Sequence, residues 1–407
     1  MTRKESIRKS VEQLVPEIVD FTKQLIAIPT ENPPGRQYRE CVNLIACKVN
    51  DFGLETQKIE IPTEGAYPRY ALLSYFGTGT KTIYFHGHYD VVPSENVHQF
   101  RPMIRGGKLF GRGSADMKGG LATMIYAVKV LQLCNVDLSG RICLVFVPDE
   151  ETGGTYGTKY LFQNDIIKNG LAMFMPEPSS GTIWHACRGA ITLLLHIKGK
   201  SVHSTLKHEG VNAFNNMLKV ANAFMELKSD VESRQTGFPT SSEKAKHSIL
   251  MMGGICKGGT KYNVVPRECS FSIDRRLNPE EALKSEKRQL LTYIEQLKAQ
   301  GINIDLDIIQ EGESAAISPN HHIIQTLAST VEHFTGQRPP ISLCPGLLEI
   351  RYYIRNGIPA VAYGPGLLSV AHGPREYVNI DAMKTCTGVY ATTAREVLST
   401  RENRNRC

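Results

Sequence analysis

The chain has 407 residues, 41% hydrophobic and 21% charged, which suits two ordinary domains with conventional apolar cores. Its 47 basic and 40 acidic side chains leave a net charge of +7, too mild an excess to imply nucleic acid. No run of about 18 apolar residues is present to span a membrane. The N-terminus lacks the apolar stretch of a secretory signal. The ten cysteines are irregularly spaced with no CxxC pair, so buried reduced thiols and a cytoplasmic location are expected. The basic tail Arg401–Cys407 is expected to be a solvated terminus.

From the N-terminus, Leu14, Val15, Ile18, Leu25 and Ile26 recur at helical spacing and predict a helix over 6–28, which Pro16 is expected to break or restart. The proline- and glycine-containing stretch 28–35 must be a loop, and a helix follows near 38–51. Ile83–Phe85 reads as a short buried strand running out into His86-Gly87-His88-Tyr89-Asp90. Gly119 to Leu133 is a strong helix, with Leu121, Met124, Ile125, Val128 and Leu131 on one face. Ile142 to Val147 is a continuous apolar strand ending at Asp149, and Leu171 to Met175 is another ending at Glu177. Such strands separated by helices predict an α/β sheet covered on both faces.

The texture changes near residue 187. Strands are expected at 191–197, 248–253, 268–273 and 302–308, with helices at 210–228 and 279–300. That βαββαβ order is of the ferredoxin-like kind. It predicts a second domain over 187–309 inserted into a first domain made of 1–186 plus 310–407. The α/β pattern then resumes with a helix over 320–335, a strand over 360–362, the Gly364-Pro365-Gly366 turn, His372 and a final helix over 381–398.

Five acidic and histidine motifs fall where apolar runs end: His88-Tyr89-Asp90, Asp116, Asp149-Glu150-Glu151, Glu177 and His372. In open α/β sheets, sites form at the C-terminal ends of strands. Two imidazoles with several carboxylates make up the ligand set of a paired divalent-metal site. Asp90 is placed to accept the second N–H of His88 and fix its tautomer, although H-x-D alone is more often a surface hydrogen bond. Asp116 precedes a helix inside a glycine-rich stretch, where it either caps the helix or bridges two ions. A phosphate loop is excluded, because GxGxxG needs glycine where Asp116 stands. Glu150 and Glu151 are either a solvated acidic loop or a metal ligand beside a general base. In the inserted domain, His203 is an exposed loop histidine, and Asn263, Arg275 and Arg276 offer an amide and guanidinium groups suited to a substrate carboxylate. Structural ion pairing is an equally good reading of either arginine.

Seven motifs, GHYDVVP, GRGSADMKGG, PDEETGG, PEPSS, GKSVHS, NVVP and AHGPREYV, occur in order between residues 14 and 398. Together they resemble the M20 family of metallopeptidases and deacylases, with Glu177 leaning towards its acetylornithine deacetylase and succinyl-diaminopimelate desuccinylase branch. The resemblance implies a zinc-peptidase-like mixed sheet flanked by helices, with an inserted ferredoxin-like dimerisation or lid domain. It implies His88, Asp116, Glu151, Glu177 and His372 as ligands of two divalent ions, zinc first with cobalt or manganese as alternatives, and Asp116 as the bridge. It implies Glu150 as general base, Asp90 as the carboxylate orienting His88, and His203 reaching the site of a partner in a homodimer. Asn263, Arg276 and Arg351 match its substrate contacts. The sequence departs from the family at Leu348-Glu349, where a small residue and Asp are usual, and at Lys207, commonly proline.

The expected activity is removal of an acyl group from a small N-acyl amino acid, with Glu150 taking a proton from the attacking water. A dipeptidase or carboxypeptidase acting on short peptides is the near alternative. A non-enzymatic binder that keeps the fold is the distant one, disfavoured by the intact Glu150 and ligand positions.

Overall fold

The computed structural model describes residues 3–399, and the tail over 401–407 lies outside the described residues. The chain divides into two compact units. One contains the residues through His185, Ile317–Ser342 and those from Glu349 onward; the other contains Ala186–Ala316 and Leu343–Leu348. The second unit runs past residue 309 because the strand Asn303–Gly312 pairs with Gly189–Lys198 up to Gly312.

The first unit is built on a mixed sheet. Its strands lie in the order Thr56–Ile61, Arg69–Phe76, Arg141–Val147, Thr82–His88, Ala172–Met175, Ala360–Ala362 and Ile183–Cys187. The central neighbours 141–147, 82–88, 172–175 and 360–362 are parallel, and the outer strands 56–61 and 69–76 are antiparallel. Every residue of Thr82–His88 is buried, as expected for a strand covered on both faces. The helices Arg3–Ile26, Gly119–Leu133 and Ile380–Leu398 bring Phe21, Leu25, Leu121, Ile125, Val128, Val389 and Tyr390 into one core with Phe85 and Phe146 of the sheet. Burying each such side chain stabilises the unit by about 1.5–3 kcal/mol.

Pro16 neither breaks nor restarts the first helix, which is continuous from Arg3 to Ile26. Pro16 and Glu12, the residue whose carbonyl loses its i+4 donor, are both exposed, where solvent can replace the lost bond.

The second unit is a four-stranded antiparallel sheet in the order Ile249–Gly258, Glu268–Leu277, Gly189–Lys198, Asn303–Gly312. The helices Ala213–Ser233 and Leu283–Ala299 complete a βαββαβ, ferredoxin-like topology. Along Gly189–Lys198, Ile191, Leu193, Leu195 and Ile197 alternate into a core filled by Val220, Phe224, Leu227, Leu290 and Ile294. No helix among the described residues is long and apolar enough to cross a membrane.

Candidate metal centre

The parallel pairing puts the C-terminal ends of neighbouring strands side by side. His88 is the last residue of its strand, Glu150 and Glu151 follow the strand ending at Val147, and Glu177 lies just beyond Met175. Asp116 arrives from the turn before the helix Gly119–Leu133, and His372 from the loop before the strand Tyr377–Asn379. His372 holds a positive φ of 63°.

The five side chains form two half-sites that share Asp116. Its Oδ1 lies 3.1 Å from His88 Nε2, and the same nitrogen is 3.5 Å from Glu177 Oε1. Its Oδ2 lies 3.2 Å from His372 Nε2, which is 3.3 Å from Glu151 Oε2. Ligand atoms of His88, Asp116 and Glu151 all fall within 4.8 Å of one another. Glu177 Oε1 is buried and makes no hydrogen bond among the described residues beyond its 3.5 Å ion pair with His88 Nε2. A buried carboxylate oxygen left this way is costly unless a cation meets it. Imidazole nitrogens paired with carboxylate oxygens are the donors that zinc, cobalt and manganese take. The residues present therefore fit two divalent ions.

The electrostatics agree. Burial alone would lower His88, but Asp116, Asp90 and Glu177 raise it well above 6.5. Burial would raise Asp116, yet its bonds to His372 and His88 hold it below its ordinary value. Bonds to Asp116 and Glu151 push His372 up to about 11. Burial, reinforced by the charge of Asp116, raises Glu177 to about 7. Burial also raises Glu150 well above 4.5, with Glu177, Glu151 and Glu349 adding repulsion. This much negative charge at the mouth of a core calls for cations, and without metal the imidazolium forms of His88 and His372 supply them.

A model of peptidase family M20/M25/M40 matches residues 84–396, most of the chain. The chain belongs to this family. It is a metal-dependent hydrolase. A succinyl-diaminopimelate desuccinylase of Buchnera aphidicola is 26% identical over 394 residues, covering 94% of this chain and 99% of that protein. The yeast di-peptidase Dug1p superposes with a TM-score of 0.82 at 15% identity, over 98% of this chain and 100% of its own. YXEP of Bacillus subtilis, described as a dinuclear metal binding peptidase of the M20 family, superposes with a TM-score of 0.65 at 15% identity, over 95% and 99%.

Around the candidate cluster lie contacts that the motifs did not specify. Asp90 does more than face His88, whose Nδ1 is 3.0 Å from the Asp90 carbonyl and 3.4 Å from Oδ1. Asp90 Oδ1 accepts the N–H of Glu150 at 3.2 Å, and Oδ2 accepts the N–H of Glu151 at 3.1 Å and Asn32 Nδ2 at 2.8 Å. Asn32 Nδ2 also reaches Thr152 Oγ1 at 3.0 Å and Asp149 Oδ1 at 3.3 Å. Asp149, buried and given no role by its motif, pairs with Arg69 and accepts the N–H of Tyr156 at 2.9 Å, bracing the loop that carries Glu150. Val92 N–H donates to Glu151 Oε1 at 3.2 Å, leaving Oε2 to face His372. Glu376 is buried against the Asp116 turn; its place inside AHGPREYV was its only signal in the sequence.

The substrate-side expectations fare differently. Arg351 is 2% exposed, and its Nη2 donates to the Gly153 carbonyl at 2.7 Å and to Tyr352 Oη at 3.0 Å. In this conformation it braces the glycine turn beside Glu150 rather than presenting a guanidinium to solvent. Glu349 is fully buried, with Oε2 2.7 Å from His86 Nε2. In the second unit, His203 and Asn263 lie on adjoining loops, joined by the Ser204 N–H to the Asn263 carbonyl at 3.0 Å and the Val265 N–H to the Val202 carbonyl at 2.9 Å. His203 is exposed, and its Nδ1 is 2.8 Å from Thr205 Oγ1. Arg276 Nε pairs with Asp274 at 2.8 Å, and Arg275 is buried against Glu281 and Glu286. Lys207 is exposed in the turn after His203.

Proposed function

We propose that this hydrolase removes the acyl group from a small N-acyl amino acid, using two divalent ions, zinc first, held by His88, Glu177, His372, Glu151 and the bridging Asp116. The observation that carries the reading is the division of Asp116, with one oxygen towards His88 and the other towards His372. Ions held there would polarise the scissile carbonyl and acidify the attacking water.

The remaining chemistry belongs to the chain. Glu150 stands at the rim of the cluster, its backbone N–H fixed by Asp90. It takes a proton from the water as the oxygen adds to the carbonyl carbon. It then delivers that proton to the nitrogen as the C–N bond breaks. The new carboxylic acid ionises and its proton ends on the amine, so the products are a carboxylate and an ammonium, and Glu150 is returned ionised. His203 of one chain stabilising the oxyanion in a partner's site, Asn263 and Arg276 contacting the substrate carboxylate, a homodimer and a cytoplasmic location belong to the same proposal.

The acyl-amino-acid reading is supported by the desuccinylase relative that spans 94% of the chain. A dipeptidase or carboxypeptidase acting on short peptides would use the same steps, and the likeness to a yeast di-peptidase keeps it as the second reading. Hydrolysis of a panel of N-acetyl and N-succinyl amino acids beside dipeptides, with zinc, cobalt and manganese, tests the choice. Higher kcat/KM on acyl amino acids is expected; uniform preference for dipeptides would reverse the ranking.

A further inference from the structure

The turn that carries the bridging carboxylate is wrapped around a second carboxylate. Glu376 Oε1 accepts the N–H groups of Ala115 and Asp116 at 2.9 and 3.0 Å, and its Oε2 accepts that of Gly113 at 3.0 Å. Successive backbone amides converging on one anion form a nest. The turn needs a φ of +81° at Gly113, where a Cβ would also meet Val91 Cγ1 at 2.6 Å. Arg112 Nη1 closes the arrangement at 2.7 Å from Glu376 Oε2, and Arg112 and Glu376 are each 2% exposed.

The same guanidinium reaches the other ligand loop. Arg112 Nη2 donates to the His372 carbonyl at 3.1 Å, and Nη1 to the Gly373 carbonyl at 3.3 Å. One buried ion pair thus ties the main chain of Asp116 to the main chain of His372. His88 and Glu177 are placed by the paired strands instead, and among the described residues no hydrogen bond joins either to Arg112 or Glu376.

We propose that Arg112 and Glu376 are positioning residues for one half of the dinuclear site. They set the separation of Asp116 and His372, and so the affinity of the His372–Glu151–Asp116 half. The His88–Glu177 half stands on the sheet and depends on them less. This inference rests on the dinuclear reading above.

The test is calorimetric titration of metal-free full-length protein with zinc, repeated with cobalt to follow the ligand-field absorption of each step. H372A and H88A mark which step belongs to which half. In E376Q the amide N–H₂ faces donors it cannot accept from, and in R112K the fork that reaches both loops is lost. Both variants are expected to weaken the step that H372A removes by roughly 10–100-fold, the range for residues that orient ligands, and to leave the step that H88A removes much less changed. Melting of the metal-free variants by circular dichroism checks that the fold survives, and if E376Q does not fold, R112K decides. Two ions in the wild type with both steps weakened alike, or neither changed, overturns the role of the pair alone. Fewer than two ions in the wild type overturns it together with the dinuclear reading.

Discussion

The backbone N–H of Glu151 donates to Asp90 Oδ2 at 3.1 Å, so the carboxylate two residues after His88 also anchors the loop from the next strand. With Glu150 N–H on Oδ1, a single side chain sets three neighbours of the cluster. Asp90→Ala leaves those two amides without their acceptor, while Asn32 keeps Asp149 and Thr152. Loss of about 1–3 kcal/mol of stability is expected from the orphaned buried groups, with zinc affinity falling about 10–100-fold. Denaturant unfolding and zinc titration on the same variant measure both. A purely imidazole-orienting role would lower zinc affinity and leave stability alone.

Glu150→Gln keeps the size of the side chain and its backbone bond to Asp90 but cannot shuttle a proton. Turnover is expected to fall by about 10²–10⁴-fold, with zinc stoichiometry unchanged. Steady-state kinetics beside metal analysis separates this from a ligand role, since loss of an ion in Glu150→Gln would move Glu150 into the metal shell.

The sequence announced the elements that bury both faces. Gly119–Leu133 and Ala360–Ala362 lie where apolar periodicity puts them, because little except burial decides their ends. The edge strand Thr56–Ile61 carries mixed polar residues, and its existence follows from pairing with Arg69–Phe76, a long-range contact that no local pattern encodes. The acids and histidines that the structure gathers were legible in the sequence, with His88, Glu150, Glu151 and Glu177 at or just past strand ends. Asn32, Arg69 and Glu376 were not, because each acts on backbone or on another carboxylate far along the chain, and a single polar residue in a loop carries no mark of its partner. Nor was the partner of Arg351 legible: the fold places its guanidinium on the Gly153 carbonyl, 198 positions away.

Gly120 opens the helix that follows Asp116, and a Cβ there would meet the Pro176 carbonyl oxygen at 2.3 Å, one residue before Glu177. Gly120→Ala must push the helix from that strand end. A loss of about 1–3 kcal/mol is expected, the usual range for overpacking, together with weaker zinc binding as Glu177 moves. Unfolding midpoints equal to wild type would show that the contact relaxes without cost.

Glu281 ties the second unit's Arg275 and Arg234 together and accepts Ser248 Oγ and the Asn278 N–H. Burial alone would raise its carboxyl, but Ser248, Arg275 and Asn278 hold it below 4.5. A depressed folded-state value means that its contribution is present above the ordinary value of 4.5 and is lost as pH falls through the folded-state value. Thermal melts below that pH should therefore show declining stability, and E281Q should be less stable at neutral pH with a flatter acid limb. An acid limb of wild-type steepness in E281Q would assign the effect to other carboxylates.

The central claim is that Asp116 joins two ion sites on which hydrolysis depends. Exhaustive chelation followed by stepwise return of zinc, with hydrolysis of N-acyl amino acids and dipeptides followed at each step, tests it most directly. The expected result is no turnover without metal, turnover restored as two equivalents bind, and neither event in Asp116→Ala. Full activity after chelation, or an Asp116→Ala chain that still binds two ions and turns over substrate, would contradict it.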